Sequence, residues 1–144
     1  MSQADGQGKH QAREAALQML YQCEIGRAGA HESIGTYWAS AEADALAEPL
    51  RDFANRMVHG TLDRREEIDT LLIAHAQNWR IERMNVIDRL VLRLAVFEML
   101  SENDTPSKVI INEAIELARS FSGDDAVGFV NGVLDAVRKE LRRT

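Results

Sequence analysis

Apolar residues recur along this chain with a helical period. Leu17, Leu20 and Tyr21, with Ala16, share one face of a segment that predicts a first helix from about Lys9 to Ile25. Gly26 follows as its stop, because glycine enters the left-handed conformation past a helix end without steric cost. The alanine-rich stretch 27–47 is weakly patterned and predicts only a short helix around Ile34 to Ala43. Pro49 suits a helical first turn and opens a third helix, with Leu50, Phe53, Ala54, Met57 and Val58 as its stripe and Gly60 as its end. A fourth is expected from Leu62 to Asn78, burying Ile68, Leu71, Leu72, His75, Ala76 and Trp79. The fifth, Val86 to Leu100, is apolar almost all round, which marks a central helix covered on several sides.

Thr105-Pro106 opens a sixth helix, with Thr105 as a candidate cap and Ile110, Ala114, Leu117, Ala118 and Phe121 facing inward. The β-branched run Lys108-Val109-Ile110-Ile111 also fits a short strand, but no second segment offers to pair with it. Gly123 breaks the chain. Asp124 or Asp125 is then expected to cap a seventh helix carrying Ala126, Val130, Val133, Leu134, Val137 and Leu141. The expected fold is all-α, a compact bundle of about seven helices in two packed halves joined near Trp79 to Asn85. Residues 1–8 are small and polar and are expected to form a disordered tail before a domain spanning 9–144.

Composition narrows the function. With 144 residues and 45% hydrophobic content the chain fits one domain. Two prolines and nine glycines are too few for a barrel or sandwich of many short strands. The lone Cys23 excludes an internal disulfide framework, and no apolar run is long enough to span a bilayer or act as a signal segment, so a cytoplasmic location is expected. The four histidines (His10, His31, His59 and His75) are scattered, so no paired metal ligands arise, and one cysteine makes no thiolate zinc site. Phosphate loops, dinucleotide fingerprints and nucleophile elbows are absent. Glu113 and Glu116 share a helix face, yet carboxylates at that spacing usually form a solvated edge, here beside Arg119. Neither catalysis nor a cofactor or metal is expected.

The formal net charge of −6 argues against a general nucleic-acid binder, so any RNA contact must be local or shared with a basic partner. Two basic clusters stand out. Arg138, Lys139, Arg142 and Arg143, against Glu140, lie where a helix dipole favours cations, which suffices to explain them. Lys9, His10 and Arg13 open the first predicted helix, where the dipole disfavours cations, and that points to a polyanion such as RNA.

Several stretches carry a family resemblance. They are Lys9-His10-Gln11-Ala12-Arg13-Glu14 with Ala16 to Tyr21, Val86 to Met99, Pro106 with Val109 to Ala118, and Phe129-Val130-Asn131-Gly132-Val133-Leu134-Asp135. Together they resemble the NusB family of bacterial transcription antitermination factors, from about residue 9 to 140 and least between 27 and 47. The resemblance implies an all-α fold of two helical halves. It implies an adaptor that pairs with the ribosomal protein NusE, binds boxA RNA of nascent ribosomal RNA leaders and helps RNA polymerase read through terminators. Carried over by position, the RNA surface comprises Lys9, His10, Arg13, Lys108, Asp125 and Phe129, and the NusE surface Asp88 and Glu82. Asn112 and Asn131 also match and are expected to hydrogen-bond across helices.

An acidic adaptor suits a basic ribosomal protein, and Phe129 could stack on an unpaired base or serve as a core aromatic. Many members carry an arginine run before the first helix, which thins here to Lys9, His10 and Arg13. Two other roles fit the same resemblance. One is a homodimer, since some members self-associate. The other is the N-terminal part of a ribosomal RNA cytosine methyltransferase, for which this sequence shows no methyl-donor site.

Overall fold

The computed structural model describes residues 3–40, 46–76, 81 and 84–144, with side chains from residue 7 onward. These residues form seven α-helices and one 3-10 turn, with no strand among them, as the periodicity predicts. The chain divides into two compact units, the first ending at Asp63 and the second running from Arg64 to Thr144.

The first unit contains α1 (Gln3–Gly26), α2 (Ala30–Ala39) and α3 (Glu48–Asp63), each packing on the other two. Helix α1 buries Ala12, Ala16, Leu17 and Leu20, and α3 buries Phe53, Ala54, Met57 and Val58. These stripes repeat every three or four residues, so each helix gains stability by burying one face. Near its start α1 approaches α3 so closely that a Cβ on Gly8 would lie 2.5 Å from Leu50 Cδ1. Helix α2 is tied to α3 by Trp38 Nε1, which donates to Asn55 Oδ1 at 2.7 Å, and by Arg51, whose guanidinium lies 5.0 Å from the Trp38 ring centre.

The second unit is built around α5 (Val86–Ser101), which contacts α4 (Arg65–His75), α6 (Ser107–Phe121) and α7 (Val127–Glu140). Every residue from Leu90 to Met99 is buried. Arg93 is one of them, only 7% exposed, and it donates through Nε and Nη2 to both carboxylate oxygens of Asp69 on α4 at 2.8 and 2.9 Å. A buried guanidinium is tolerable only with such a two-point partner. His75 Nε2 and Glu140 Oε1, 2.7 Å apart, link α4 to α7, so this histidine is a bonded boundary residue. Glu116 pairs with Arg119 at 2.5 Å, as a solvated helix edge would.

The structure corrects several expectations. Helix α1 begins at Gln3, so residues 3–8 belong to it rather than to a tail, while residues 1 and 2 lie outside the described residues. Helix α2 spans Ala30–Ala39, earlier than expected, and 41–43 fall outside the described residues. Gly60 lies inside α3, because the roughly 1 kcal/mol it costs a helix is small beside the buried stripe that continues through Met57, Val58 and Thr61. The helical run is interrupted instead at Arg64, which is also where the units divide, rather than near Trp79 to Asn85. Helix α4 ends at His75, and Asn78 and Trp79 lie outside the described residues.

Lys108 to Ile111 are helical, and Pro106 rather than Thr105 precedes α6. Neither Asp124 nor Asp125 caps α7. They form a 3-10 turn, Asp124–Ala126, ahead of it, and no side chain caps either element. Gly123 makes this corner. Its N–H donates to Ala118 O at 2.9 Å, closing α6, at a φ of 139° that a residue with a side chain rarely adopts.

Candidate functional site

The end of α6 and the start of α5 are both formed by capping residues, and these shape a cavity in the second unit. Asn85 precedes α5, and its Oδ1 accepts from Ile87 N at 2.8 Å. This holds the first turn of α5 in place and sets Asp88 on that turn, where a carboxylate suits the positive end of the helix dipole. Across from it, the Gly123 corner delivers Asp125 and then Phe129. Together with Met84, Ser122 and Ala126 these residues line a surface cavity of about 350 Å³. Asp125 is exposed and Phe129 is half-buried.

Asp88 itself is half-buried. Its Oδ1 is shut away from solvent and has no hydrogen-bond partner among the described residues. A buried oxygen without a donor carries a desolvation cost of about 1 to 3 kcal/mol. The Asp88 carboxylate also borders the cavity, where its negative charge attracts a cation of another molecule. Asp88, Asp125 and Phe129, which the resemblance divides between a protein surface and an RNA surface, therefore line a single cavity. Glu82 lies outside the described residues, and Lys108 is exposed on the first turn of α6.

Lys9, His10 and Arg13 belong to the first unit, on α1. Because α1 starts at Gln3, they sit well inside the helix rather than at its positive end. The dipole penalty expected for them, and the free N–H groups expected beside them, therefore do not apply. His10 Nε2 lies 2.7 Å from Glu14 Oε1. Arg13 is only 3% exposed, with its guanidinium 5.5 Å from the centre of the Phe53 ring. It is a packed residue of the α1–α3 contact rather than a surface cation. Lys9 Nζ lies 5.5 Å from the same ring centre and Arg56 Cζ lies 5.4 Å from it.

Sequence reasoning placed Phe53 on the α3 stripe but missed the cations around its ring, Arg56 among them, and the Arg93–Asp69 pair, since each depends on which helices adjoin. Arg13 carried a readable signal: it lies three, four and seven residues before Ala16, Leu17 and Leu20, on the apolar stripe. Asn112 and Asn131 are exposed, not bonded across helices as expected. In the C-terminal cluster, Arg138 donates to Asp135 Oδ1 at 2.8 and 3.0 Å, and Lys139 Nζ lies 3.3 Å from Asp135 Oδ2. The Arg138 and Lys139 donors, in that order, hold the Asp135 carboxyl below its ordinary value. Among the described residues no three His, Cys, Asp or Glu side chains cluster as metal ligands would, and no helix is long and apolar enough to cross a membrane.

Known proteins resemble the chain over nearly its whole length. A relative from Koribacter versatilis, the transcription antitermination protein NusB, is 45% identical over 133 residues, covering 92% of this chain and 90% of its own. The protein of the same name from Myxococcus xanthus is 44% identical, covering 91% and 94%. Among solved structures, NusB from T. maritima superposes with a TM-score of 0.83 at 32% identity, covering 92% of this chain and 91% of that one. A chain from a complex of the antitermination factors NusB and NusE with double-stranded RNA shares the fold, with a TM-score of 0.84 at 24% identity and 93% and 98% coverage. Residues 10–139 match the NusB family profile, and the chain belongs to that family.

Proposed function

We propose that this chain is a transcription antitermination factor, a non-catalytic cytoplasmic adaptor that joins a NusE-type ribosomal protein to boxA-type RNA and supports read-through by RNA polymerase. Family membership supports the role, as do the antitermination relatives that match over nine-tenths of the chain. The observation that carries the mechanism is the Asp88 carboxylate. It lines a cavity that an incoming basic side chain can enter, at the positive end of the α5 dipole. A net charge of −6 favours encounter with a basic ribosomal protein. Asp125 and Phe129 on the same cavity bring the RNA contacts next to the protein contact, so that partner and RNA meet at one edge of α5 and α7.

The test is RNA binding by the protein with and without its own NusE, together with NusE binding by the Asp88→Lys variant. The complex should bind boxA RNA much more tightly than the isolated chain. Asp88→Lys should weaken NusE binding by about 1 to 3 kcal/mol, as like charges then meet. Equal RNA affinity with and without NusE would remove the adaptor mechanism, and unchanged NusE affinity in calorimetry would remove Asp88 from the interface.

A further inference from the structure

We propose that Arg142, in the turn that closes α7, is a phosphate contact of the RNA face, standing beside Lys108 of the first turn of α6. The inference rests on the RNA-binding reading above and extends it to a residue outside the cavity. Arg142 has a φ of 58°, in the left-handed region where glycine is favoured after a helix. Its N–H donates to Lys139 O, and the Arg143 N–H to Arg138 O, both at 3.0 Å, as in a helix end closed by glycine. A residue with a side chain pays for that conformation in backbone energy. The α7 dipole favours a cation at this end, but the attraction is screened by salt and does not exceed that cost. Arg142 is exposed, and among the described residues its guanidinium has no hydrogen bond or ion pair. The side chain is therefore retained for something other than the fold.

The turn that carries Arg142 is held on both sides. Arg138 Nη1 donates to Arg143 O at 3.0 Å, and Arg143 Nε donates to Ser107 Oγ at 2.8 Å. This last bond joins the turn to the start of α6, so the residues next to its two ends, Arg142 and Lys108, come from adjoining turns. Lys108 is exposed and is likewise without a hydrogen bond or ion pair among the described residues. It also stands where a helix dipole disfavours a cation. Nearby acids are engaged elsewhere: Asp135 accepts from Arg138 and Lys139, and Glu140 lies 2.7 Å from His75. Glu102 has a partner of its own, which leaves Asp104, exposed before α6, as an opposing charge that the two cations outweigh. Two cations on adjoining turns make a locally positive edge in a chain of net charge −6, and phosphate is the group that such an edge draws.

The experiment uses the protein in complex with NusE and a fluorescein-labelled single-stranded boxA RNA, titrated at three salt concentrations, with urea midpoints of the variants alongside. Arg142→Gly is the decisive variant, because its two expected effects have opposite sign. It should raise the urea midpoint, since glycine relieves the left-handed backbone. It should lower RNA affinity about three- to tenfold at low salt, with the log–log salt slope shallower by about 0.7, as for one lost phosphate contact. A variant that is more stable and binds less tightly has not lost its contact by misfolding. Arg142→Lys, which keeps the charge, should retain the wild-type slope. Arg65→Gln, which removes an exposed arginine at the start of α4, should leave affinity and slope unchanged. Wild-type affinity and slope in Arg142→Gly would overturn the assignment. So would a lowered midpoint in that variant, which would make Arg142 structural, or an equal loss of affinity in Arg65→Gln, which would make the effect one of net charge. If the wild-type complex itself fails to bind the RNA, the RNA-binding reading falls first and this inference with it.

Discussion

Arg143 Nε donates to Ser107 Oγ at 2.8 Å, tying the last turn of the chain to the first residue of α6. The same guanidinium donates to the carbonyls of Met99, Glu102 and Thr105, which belong to the end of α5 and the connection after it. The backbone reaches this position through Arg142, at a φ of 58°, while Arg138 Nη1 holds the Arg143 carbonyl at 3.0 Å. One side chain thereby satisfies acceptors that the end of a helix leaves without intrahelical donors.

Arg143→Ala should accordingly lower unfolding stability by about 2 to 3 kcal/mol, in line with the loss of a charged donor to several carbonyls. The exposed neighbour Arg142→Ala should change it by less than about 0.5 kcal/mol. Urea denaturation of the two variants checks this, and equal midpoints would show that the Arg143 contacts are dispensable.

Arg13 is expected to behave as a core residue. Arg13→Glu sets a carboxylate in a site only 3% exposed and against a ring face that repels anions. A loss of about 3 kcal/mol or more should follow, with a lower melting temperature. Lys9→Glu, at a half-buried position, should cost far less. An unchanged melting temperature in Arg13→Glu would return Arg13 to the surface and to the RNA face.

These two arginines show what could be read from the chain alone. Helices α5, α6 and α7 were legible because their stripes are dense: Leu90 to Met99 is nearly unbroken, and Ile110, Ala114, Leu117 and Ala118 hold strict helical spacing. The C-terminal arginines were read as dipole-favoured, which accounts for cations near the end of α7 but not for the reach of Arg143 to the α5–α6 connection. The start of α1 was misread because Gln3 to Gly8 are small and polar. Such residues do not show a buried face, although a helix continuing from Lys9 can extend through them. The break at Arg64 was missed because Gly60 is the stronger local signal for a helix end. The cavity at Asp88, Asp125 and Phe129 depends on two helix ends meeting, and linear spacing does not encode that.

Asp125→Asn should strengthen RNA binding by the NusE complex at low salt. Asp125 is exposed and forms no capping bond, so its replacement removes a negative charge from the proposed RNA side of the cavity at little structural cost. Stability should move by less than about 0.5 kcal/mol. The gain in affinity should shrink as salt screens the charge. Asp124→Asn, whose carboxylate lies 3.6 Å from Arg119, should show a smaller gain. Anisotropy titrations at two salt concentrations decide the matter, and no gain at low salt would take Asp125 out of the RNA face.

Asp135 supplies a pH signature. Donors from Arg138 and then Lys139 lower its folded-state pKa below the ordinary value of 3.8. A depressed acid contributes stability that is present above its unfolded pKa and is lost as pH falls through its folded pKa. Stability should therefore decline below about pH 4, and the decline should be shallower in Asp135→Asn, which has no carboxyl to protonate there. The site is open to solvent, so the difference should be small and should fade in high salt. Chemical denaturation between about pH 5 and pH 2 measures it, and identical slopes for both proteins would rule out this linkage.

The contact between Gly8 and Leu50 acts as a gauge. A methyl group at position 8 already requires Leu50 to turn its Cδ1 aside, which a flexible leucine can do, whereas a longer side chain requires the helix itself to move. Lys9 of α1 and Arg56 of α3 lie 5.5 and 5.4 Å from the Phe53 ring centre across the same helix contact. The spacing of α1 from α3 is thus calibrated by a hydrogen atom in the core. Exchanges at positions 8 and 50 should retune that spacing without altering a single charged residue.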